Sequence, residues 1–289
     1  MQTYSFKQVD VFTQTPFGGN PVAVILNAEG LSTAEMQQIA AWTNLSETTF
    51  VLPPSSDQAD YRLRIFTPKQ ELPFAGHPTI GSAHAVIESG FAAAQQGQIR
   101  QECLAGIIPL SVQETPTGQQ ILAQAPSAQI TSINPEVLSL LTAGLGVEPT
   151  VPPLRVDVGP VWIIADLGSA DTVATLNPDM ASLTKLSEMA QATGVTVFGQ
   201  ANDGIAKMHV RSFAPAQGIP EDPVCGSGNV SVAAFLLHSN LINSYGNEYV
   251  ARQGMQLGRD GQILIQIKEQ SIAFGGYAVT CVDGMLRVK

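Results

Sequence analysis

Two glycine turns stand out as places where chemistry could be done: Phe74-Ala-Gly-His-Pro78 and Val224-Cys-Gly-Ser-Gly-Asn229. Each leads into an apolar stretch of helical character. Glycine lets backbone approach a ligand closely, and the free N–H groups of a helix's first turn, with the helix dipole, favour an anion. Two such turns suit a substrate bearing a carboxylate, gripped from two sides. The plain alternative is a pair of tight turns with no ligand. Neither turn is followed by Lys-Ser/Thr, which excludes a phosphate-binding Walker loop.

The pairing of the turns belongs to a larger repeat. Arg64-Ile-Phe-Thr-Pro-Lys-Gln70 recurs as Arg211-Ser-Phe-Ala-Pro-Ala-Gln217, an offset of 147 residues, about half the chain. Val9-Asp-Val11 matches Val156-Asp-Val158 at the same offset, and Pro21-Val-Ala-Val-Ile25 resembles Pro160-Val-Trp-Ile-Ile164. Such self-similarity marks a duplicated structural unit. It also shows what the copies do not share. Aligning Thr48-Thr-Phe50 with Thr196-Val-Phe198 sets Glu47 opposite Val195. One odd carboxylate on a duplicated scaffold suggests a single acid/base group, and its neighbours Leu45 and Thr48 to Val51 would desolvate it and raise its pKa towards neutrality. The alternative is a surface glutamate at a helix-to-strand turn.

Three more side chains lie in the turns or just before them. His77 stands before Pro78, Asp222 before Pro223, and Cys225 at the start of the second turn. His77 and Asp222 have bland readings as turn residues. A thiol at a helix start is expected to ionise readily and to react with alkylating agents.

The elements that must position these groups are strand-rich. Short alternating or β-branched runs occur at Tyr4 to Phe12, Pro21 to Leu26, Tyr61 to Phe66, Gln98 to Cys103 and Ile107 to Val112. Their counterparts lie at Leu154 to Val158, Val161 to Ala165, Ile205 to Phe213, Tyr249 to Ala251 and Ile263 to Ile267. Ser32 and Glu35 form a capping box with Leu31 placed to staple onto Met36. The matching helix is expected from Asn177-Pro178, with Pro at its first position, to a terminal Gly194. The second helix of each half, Pro78 to Ile87 and Gly228 to Leu237, is small or apolar on nearly all sides and must be surrounded. Strands curling round such a helix form a barrel-like half. The joint falls near Ala125-Pro-Ser127, giving halves 1–126 and 127–289, with a cleft between them as the expected site.

Composition removes several classes of function. Charged residues are only 13% against 44% apolar, so the chain packs a core and is not disordered. A net charge of −10 with no basic run argues against nucleic acid and membrane surfaces as partners. No apolar run approaches the roughly 20 residues of a spanning helix, and Met1 to Asp10 lacks the pattern of an export signal. Three cysteines without a CxxC pair fit free thiols in a cytoplasmic setting. The four scattered histidines show no metal-ligand spacing, so no metal is expected.

The motifs V-D-V-F-T-x-T-P-F-G-G-N-P-V-A-V (Val9 to Val24), N-L-S-E-T-T-F (Asn44 to Phe50), F-T-P-x-x-E-L-P-F-A-G-H-P-T (Phe66 to Thr79) and E-D-P-V-C-G-S-G (Glu221 to Gly228) resemble the PhzF-like family, the phenazine-biosynthesis-type isomerases. The resemblance implies the diaminopimelate-epimerase-like fold: α+β, two pseudo-symmetric halves, each a barrel-like, mostly antiparallel sheet wrapped around a central helix. It implies Glu47 as the catalytic glutamate, moving a proton between carbons of a small carboxylate-bearing substrate without a cofactor. It likewise implies His77, Asp222 and Ser227 as substrate-holding side chains, Gly76 and Gly226 as backbone donors, and Asn20 as a further ligand contact. A homodimer is implied too, with the last strand free to cross back and complete the first barrel.

One departure matters: Cys225 stands where the phenazine enzymes usually carry Thr, and it coincides with the second thiol of two-cysteine epimerases. Ala75 occupies the place of the first thiol, which rules out the two-thiol mechanism. Two alternatives stay open: a two-base racemase or epimerase using Glu47 with Cys225 as second base, and a small-molecule-binding protein without turnover. A Cys225 and His77 hydrolase lacks an orienting third group.

Overall fold

The computed structural model describes residues 2–288. The chain divides into two compact units, Met1–Gln124 with Gly275–Lys289, and Ala125–Phe274. The first unit opens with β1 (Gln2–Val11), β2 (Asn20–Leu26), α1 (Thr33–Thr43), β3 (Thr48–Leu52), β4 (Tyr61–Phe66) and β5 (Glu71–Leu72). It continues with α2 (Gly76–Glu88), β6 (Gln98–Cys103), β7 (Gly106–Thr115) and β8 (Gly118–Gln124). The second unit runs β9 (Gln129–Ser132), α3 (Pro135–Leu145), β10 (Leu154–Asp157), β11 (Val161–Ser169), α4 (Ala170–Thr175), α5 (Met180–Ala190), β12 (Gly194–Gln200) and β13 (Met208–Ala214). After these come β14 (Ile219–Asp222), α6 (Gly226–His238), β15 (Glu248–Gln253), β16 (Gly261–Lys268) and β17 (Ser271–Gly276), whose last two residues already belong to the first unit. The final strand, β18 (Ala278–Val288), pairs antiparallel with β1 along its whole length.

The ladders repeat between the units. In the first, β1–β2, β3–β4, β4–β5 and β6–β7 are antiparallel while β2–β3 and β4–β6 are parallel. In the second, β10–β11, β12–β13, β13–β14 and β15–β16 are antiparallel while β11–β12 and β13–β15 are parallel. The architecture is sheet-dominated α+β of the diaminopimelate-epimerase-like kind, antiparallel for the most part.

Each unit encloses one helix. Strands β1, β2, β3, β4, β6, β8 and β18 all touch α2, and its residues His77 to Ala83, with Ala85 and Val86, are buried. A Cβ on Gly81 would lie 2.5 Å from Val22 and 2.8 Å from Val11, so the helix packs closer to β1 and β2 than any larger residue permits. Helix α6 touches β10, β11, β12 and β16 and is buried over nearly its whole length. The all-round apolar pattern of both sequences is the direct consequence.

The outer helices follow their caps. Ser32 and Glu35 complete the capping box of α1, and Leu31, Met36 and Ala40 join Tyr4, Ile25, Phe50, Leu52 and Phe66 in one cluster. The start of α5 differs from the Asn177-Pro178 reading. Asp179 is the cap, its carboxylate accepting from Ala181 N at 3.1 Å and Ser182 N at 3.3 Å. An ionised side chain that satisfies two free N–H groups holds this end better than Asn177 could. The helix ends at Gln191, in the left-handed region at φ 48°, and Gly194 starts β12 instead of closing α5. Strand β13 begins at Met208, not Ile205, because Asp203 accepts from Ile205 N (2.9 Å) and Ala206 N (2.8 Å) and bends that segment into a turn. Helix α3 belongs to the second unit alone, capped by Asn134 with Pro135 at its first position.

Candidate active site

The same clamp leads into the glycine turn of each unit. In the first, Arg64 on β4 makes two parallel bonds to Glu71 on β5, both 2.7 Å, and its guanidinium lies 5.2 Å from the Phe66 ring. In the second, Arg211 on β13 does the same to Glu221 on β14, at 2.9 and 2.8 Å, with Phe213 at 5.0 Å. The R-x-F repeat is therefore a fork that holds a short return strand against β4 or β13 and aims the chain into the buried helix. The second clamp is deeper: the Arg211 and Glu221 side chains are 6% and 8% exposed, against 24% and 20% for Arg64 and Glu71. Arg211 also donates to the carbonyls of Val173 and Leu176.

In the first unit, the turn before β3 is tied at both ends. Asn44 closes α1 in the left-handed region at φ 55°, and the Thr43 and Thr48 hydroxyls are 2.6 Å apart. Between these ties sits Glu47, its side chain 16% exposed. Glu47 Oε2 is buried, makes no hydrogen bond and lies 3.4 Å from His77 Nε2. Burial pushes the Glu47 carboxyl up to about 7, against a smaller lowering by Ser46. His77 is the second residue of α2 and 8% exposed. Asn20, 2% exposed, is the first residue of β2, whose ladder with β3 runs parallel from Ala23 opposite Thr48. Asn20 and Glu47 thus sit at the same end of the unit, where Gly76 starts α2 with Ala75 as a cap that offers no side-chain bond.

In the second unit, Cys225 caps α6 and Gly226 and Ser227 are its first two residues. The thiol accepts from Gly228 N at 3.3 Å and lies 3.6 Å from Ser227 Oγ. A Cβ on Gly228 would fall 2.7 Å from Ser212 Oγ and 2.8 Å from Thr196 Oγ1, so only glycine seats the helix here. Asp222 Oδ1 accepts from Val224 N at 3.0 Å, forming the turn into the cap. The expectation of a readily ionised Cys225 is overturned. The residue is 4% exposed, and burial, reinforced by the charge of Asp222, holds its thiol far above the ordinary range. Desolvation outweighs the helix dipole.

Two residues of this turn carried no signal in the sequence. Gln253 on β15, fully buried, accepts from Cys225 N (3.2 Å) and Asn229 Nδ2 (2.9 Å) and donates to the Asp222 carbonyl (2.9 Å). Trp162 on β11 donates its indole N–H to Ser227 Oγ at 3.0 Å. Both act through side-chain bonds across strands that no local spacing announces.

The ladders also correct the alignment of the two copies. Phe50 faces Arg64 and Val197 faces Arg211, so the offset through β3 and β12 is the same 147 as in the Arg repeat. The counterpart of Glu47 is then Gly194, not Val195. A Cβ at Gly194 would stand 2.0 Å from the Phe213 carbonyl oxygen, so the second unit cannot carry any side chain where the first carries its carboxylate.

Comparison with known proteins gives the family. Residues 9–284 match the phenazine biosynthesis-like protein family, PhzC-PhzF. The chain belongs to the PhzF-like isomerase family. It is 41% identical to "Antisense-enhancing sequence 1" of Schizosaccharomyces pombe, covering 98% of this chain and 99% of that one. It is 33% identical to trans-2,3-dihydro-3-hydroxyanthranilate isomerase of Pseudomonas aeruginosa, over 88% of this chain and 87% of the relative. Among solved PhzF-like structures, the phenazine biosynthesis protein of Bacillus anthracis superposes with a TM-score of 0.86 at 26% identity, covering all of both chains. Among the described residues of this PhzF-like chain, no group of three His, Cys, Asp or Glu is placed to hold a metal ion. No described helix is long and apolar enough to cross a membrane.

Proposed function

We propose that the chain is a cofactor-independent isomerase that moves a proton between two carbons of a small cyclic, carboxylate-bearing substrate, with Glu47 as the one general acid/base. The observation that carries this reading is the Glu47 carboxyl: buried, tied in place, its Oε2 without a hydrogen bond, and poised at about 7. A group with that pKa holds and releases a proton with equal ease near neutrality. The name of the Pseudomonas relative supplies the substrate class, a ring amino acid of the dihydro-hydroxyanthranilate kind.

In the proposed step, the Glu47 carboxylate takes a proton from a ring carbon, and the electron pair left behind shifts through the adjacent double bond. Glu47, now the neutral acid, returns the proton to the carbon at the far end of that system on the same face. No atom is gained or lost. His77, next to Glu47, the Ser227 hydroxyl and the N–H groups of Gly76 and Gly226 hold the substrate carboxylate, with Asp222 and Asn20 fixing its other polar groups. The helix starts face charge that grows as the proton leaves, which is where backbone donors lower a barrier.

The test is turnover of trans-2,3-dihydro-3-hydroxyanthranilate in deuterated water, followed by NMR for isomerisation and exchange at carbon. Glu47→Gln keeps the shape and removes the proton exchange. The expected loss in kcat is about 10²- to 10⁴-fold, the usual worth of a positioned acid/base, with ligand binding retained. Turnover within tenfold of wild type would remove Glu47 from the role.

A further inference from the structure

We propose that Trp162 is a positioning residue that occupies one acceptor site of the Ser227 hydroxyl and leaves its proton for the substrate, so that the atom this proton meets at the second helix start is an acceptor oxygen. The inference rests on the substrate-holding role given above to Ser227, and it concerns binding, not the proton carrier.

An indole N–H can only donate, whereas a hydroxyl has one proton and two acceptor sites. The 3.0 Å bond from Trp162 Nε1 to Ser227 Oγ therefore fills an acceptor site and leaves the serine proton to be given away. Within the turn, its neighbour is the Cys225 sulfur at 3.6 Å, a weak acceptor already engaged by Gly228 N at 3.3 Å. An incoming carboxylate or carbonyl oxygen offers a shorter, stronger bond than that sulfur. Ser227 is partly open to solvent while Trp162 is 2% exposed, so the indole is the fixed member of the pair and the hydroxyl the one that meets a ligand.

Symmetry separates this arrangement from ordinary packing. Val9 faces Val22, and Val156 faces Trp162, so Val22 is the counterpart of Trp162 in the first unit. The counterpart of Ser227 is His77, since each is the second residue of its buried helix. The duplicated scaffold is thus satisfied by an aliphatic residue at this strand position. The indole appears only where the helix start carries a hydroxyl. In the first unit the same helix position is faced by the Glu47 carboxylate at 3.4 Å. Each helix start has one oriented polar partner, and the two partners are of opposite kind, an acceptor beside His77 and a donor beside Ser227.

A double-mutant cycle on Trp162→Phe and Ser227→Ala tests the assignment, read by calorimetry with anthranilate, a stable aromatic acid of the proposed class. Each single variant should weaken anthranilate binding roughly ten- to a hundredfold, the worth of one hydrogen bond to a charged acceptor, and the double variant should be no weaker than Ser227→Ala alone. On trans-2,3-dihydro-3-hydroxyanthranilate the same loss should fall on KM, with kcat within about twofold. Trp162 exchanged for benzothienylalanine keeps the bicyclic shape without the N–H, and should reproduce the loss at the wild-type melting temperature. Losses that add in the double variant, a loss confined to Trp162→Phe, or wild-type protein that does not bind anthranilate would each overturn the inference. The reading of Glu47 fails or stands separately, by turnover of Glu47→Gln.

Discussion

The two helix starts share a backbone and differ in what they can do to a substrate. Both follow an Arg–Glu fork and an Arg-over-Phe stack, and both begin a buried helix with glycine. In the first unit the turn before β3 brings a desolvated carboxylate to His77; in the second, Gly194 leaves no room for any side chain at the equivalent point, and a tryptophan fixes a serine instead. In the proposed reaction, duplication supplies the anion-binding geometry twice, while the proton chemistry is placed once. A binding surface tolerates two-fold repetition, but a proton that leaves and returns on one face needs a single carrier.

The largest expected effect probes the shared part of that comparison. Arg211→Ala leaves the buried Glu221 carboxylate uncompensated and strips two carbonyls of their donor, and should cost about 3–5 kcal/mol of stability. Arg64→Ala breaks the same fork in a more exposed setting and should cost only about 1 kcal/mol. Chemical denaturation of the two variants checks this. Equal losses would mean that the deeper burial of the second fork has no energetic weight.

Next in size is the stability cost of the feature that only the first unit has. Between the ordinary carboxyl value of 4.5 and about 7, the folded chain keeps a proton on Glu47 that the unfolded chain has lost. Stability from this group is therefore fully present below 4.5, falls as pH rises through that window, and is gone above about 7. Glu47→Gln removes the dependence. Relative to wild type it should gain on the order of 3 kcal/mol between pH 4 and pH 8, measured by denaturation at both. A parallel pH profile for the two proteins would contradict the desolvation of Glu47.

Much of this contrast was legible in the sequence, for reasons that differ by residue. The R-x-F-x-P-x-Q repeat gave away the duplication because an ion pair stacked on an aromatic ring needs those types at fixed spacing. Ser32 and Glu35 announced α1 because a capping box is local. The alignment of Glu47 slipped by one residue because Phe50 and Phe198 look equivalent, whereas the ladders pair Phe50 and Val197 with the two arginines. Helix α3 carried its own signals, Asn134-Pro135 at one end and Gly146 at the other, but it has no counterpart in the first copy, and a reading guided by symmetry passes over it. Trp162 and Gln253 act across strands far apart in sequence, which spacing cannot show. The ionisation of Cys225 was misjudged because a helix start predicts its dipole and says nothing of its burial.

The smallest expected effect separates a one-base from a two-base reaction. Cys225→Thr puts a hydroxyl at a cap position that accepts Thr well, and the buried thiol it replaces is held protonated at neutral pH. Turnover should stay within about tenfold of wild type. A loss above about a hundredfold with an unchanged melting curve would make Cys225 a second base, and the protein a racemase or epimerase.

The central claim, that the fold singles out Glu47 as a proton carrier by burying it, is tested most directly by titrating its carboxyl carbon in the free protein with selectively 13C-labelled glutamate, using Glu47→Gln to assign the signal. The account predicts a midpoint at about 7, set apart from exposed glutamates. A midpoint near the ordinary 4.5 would contradict it, because such a carboxylate would be too weak a base at neutral pH to take a proton from carbon and hold it for return.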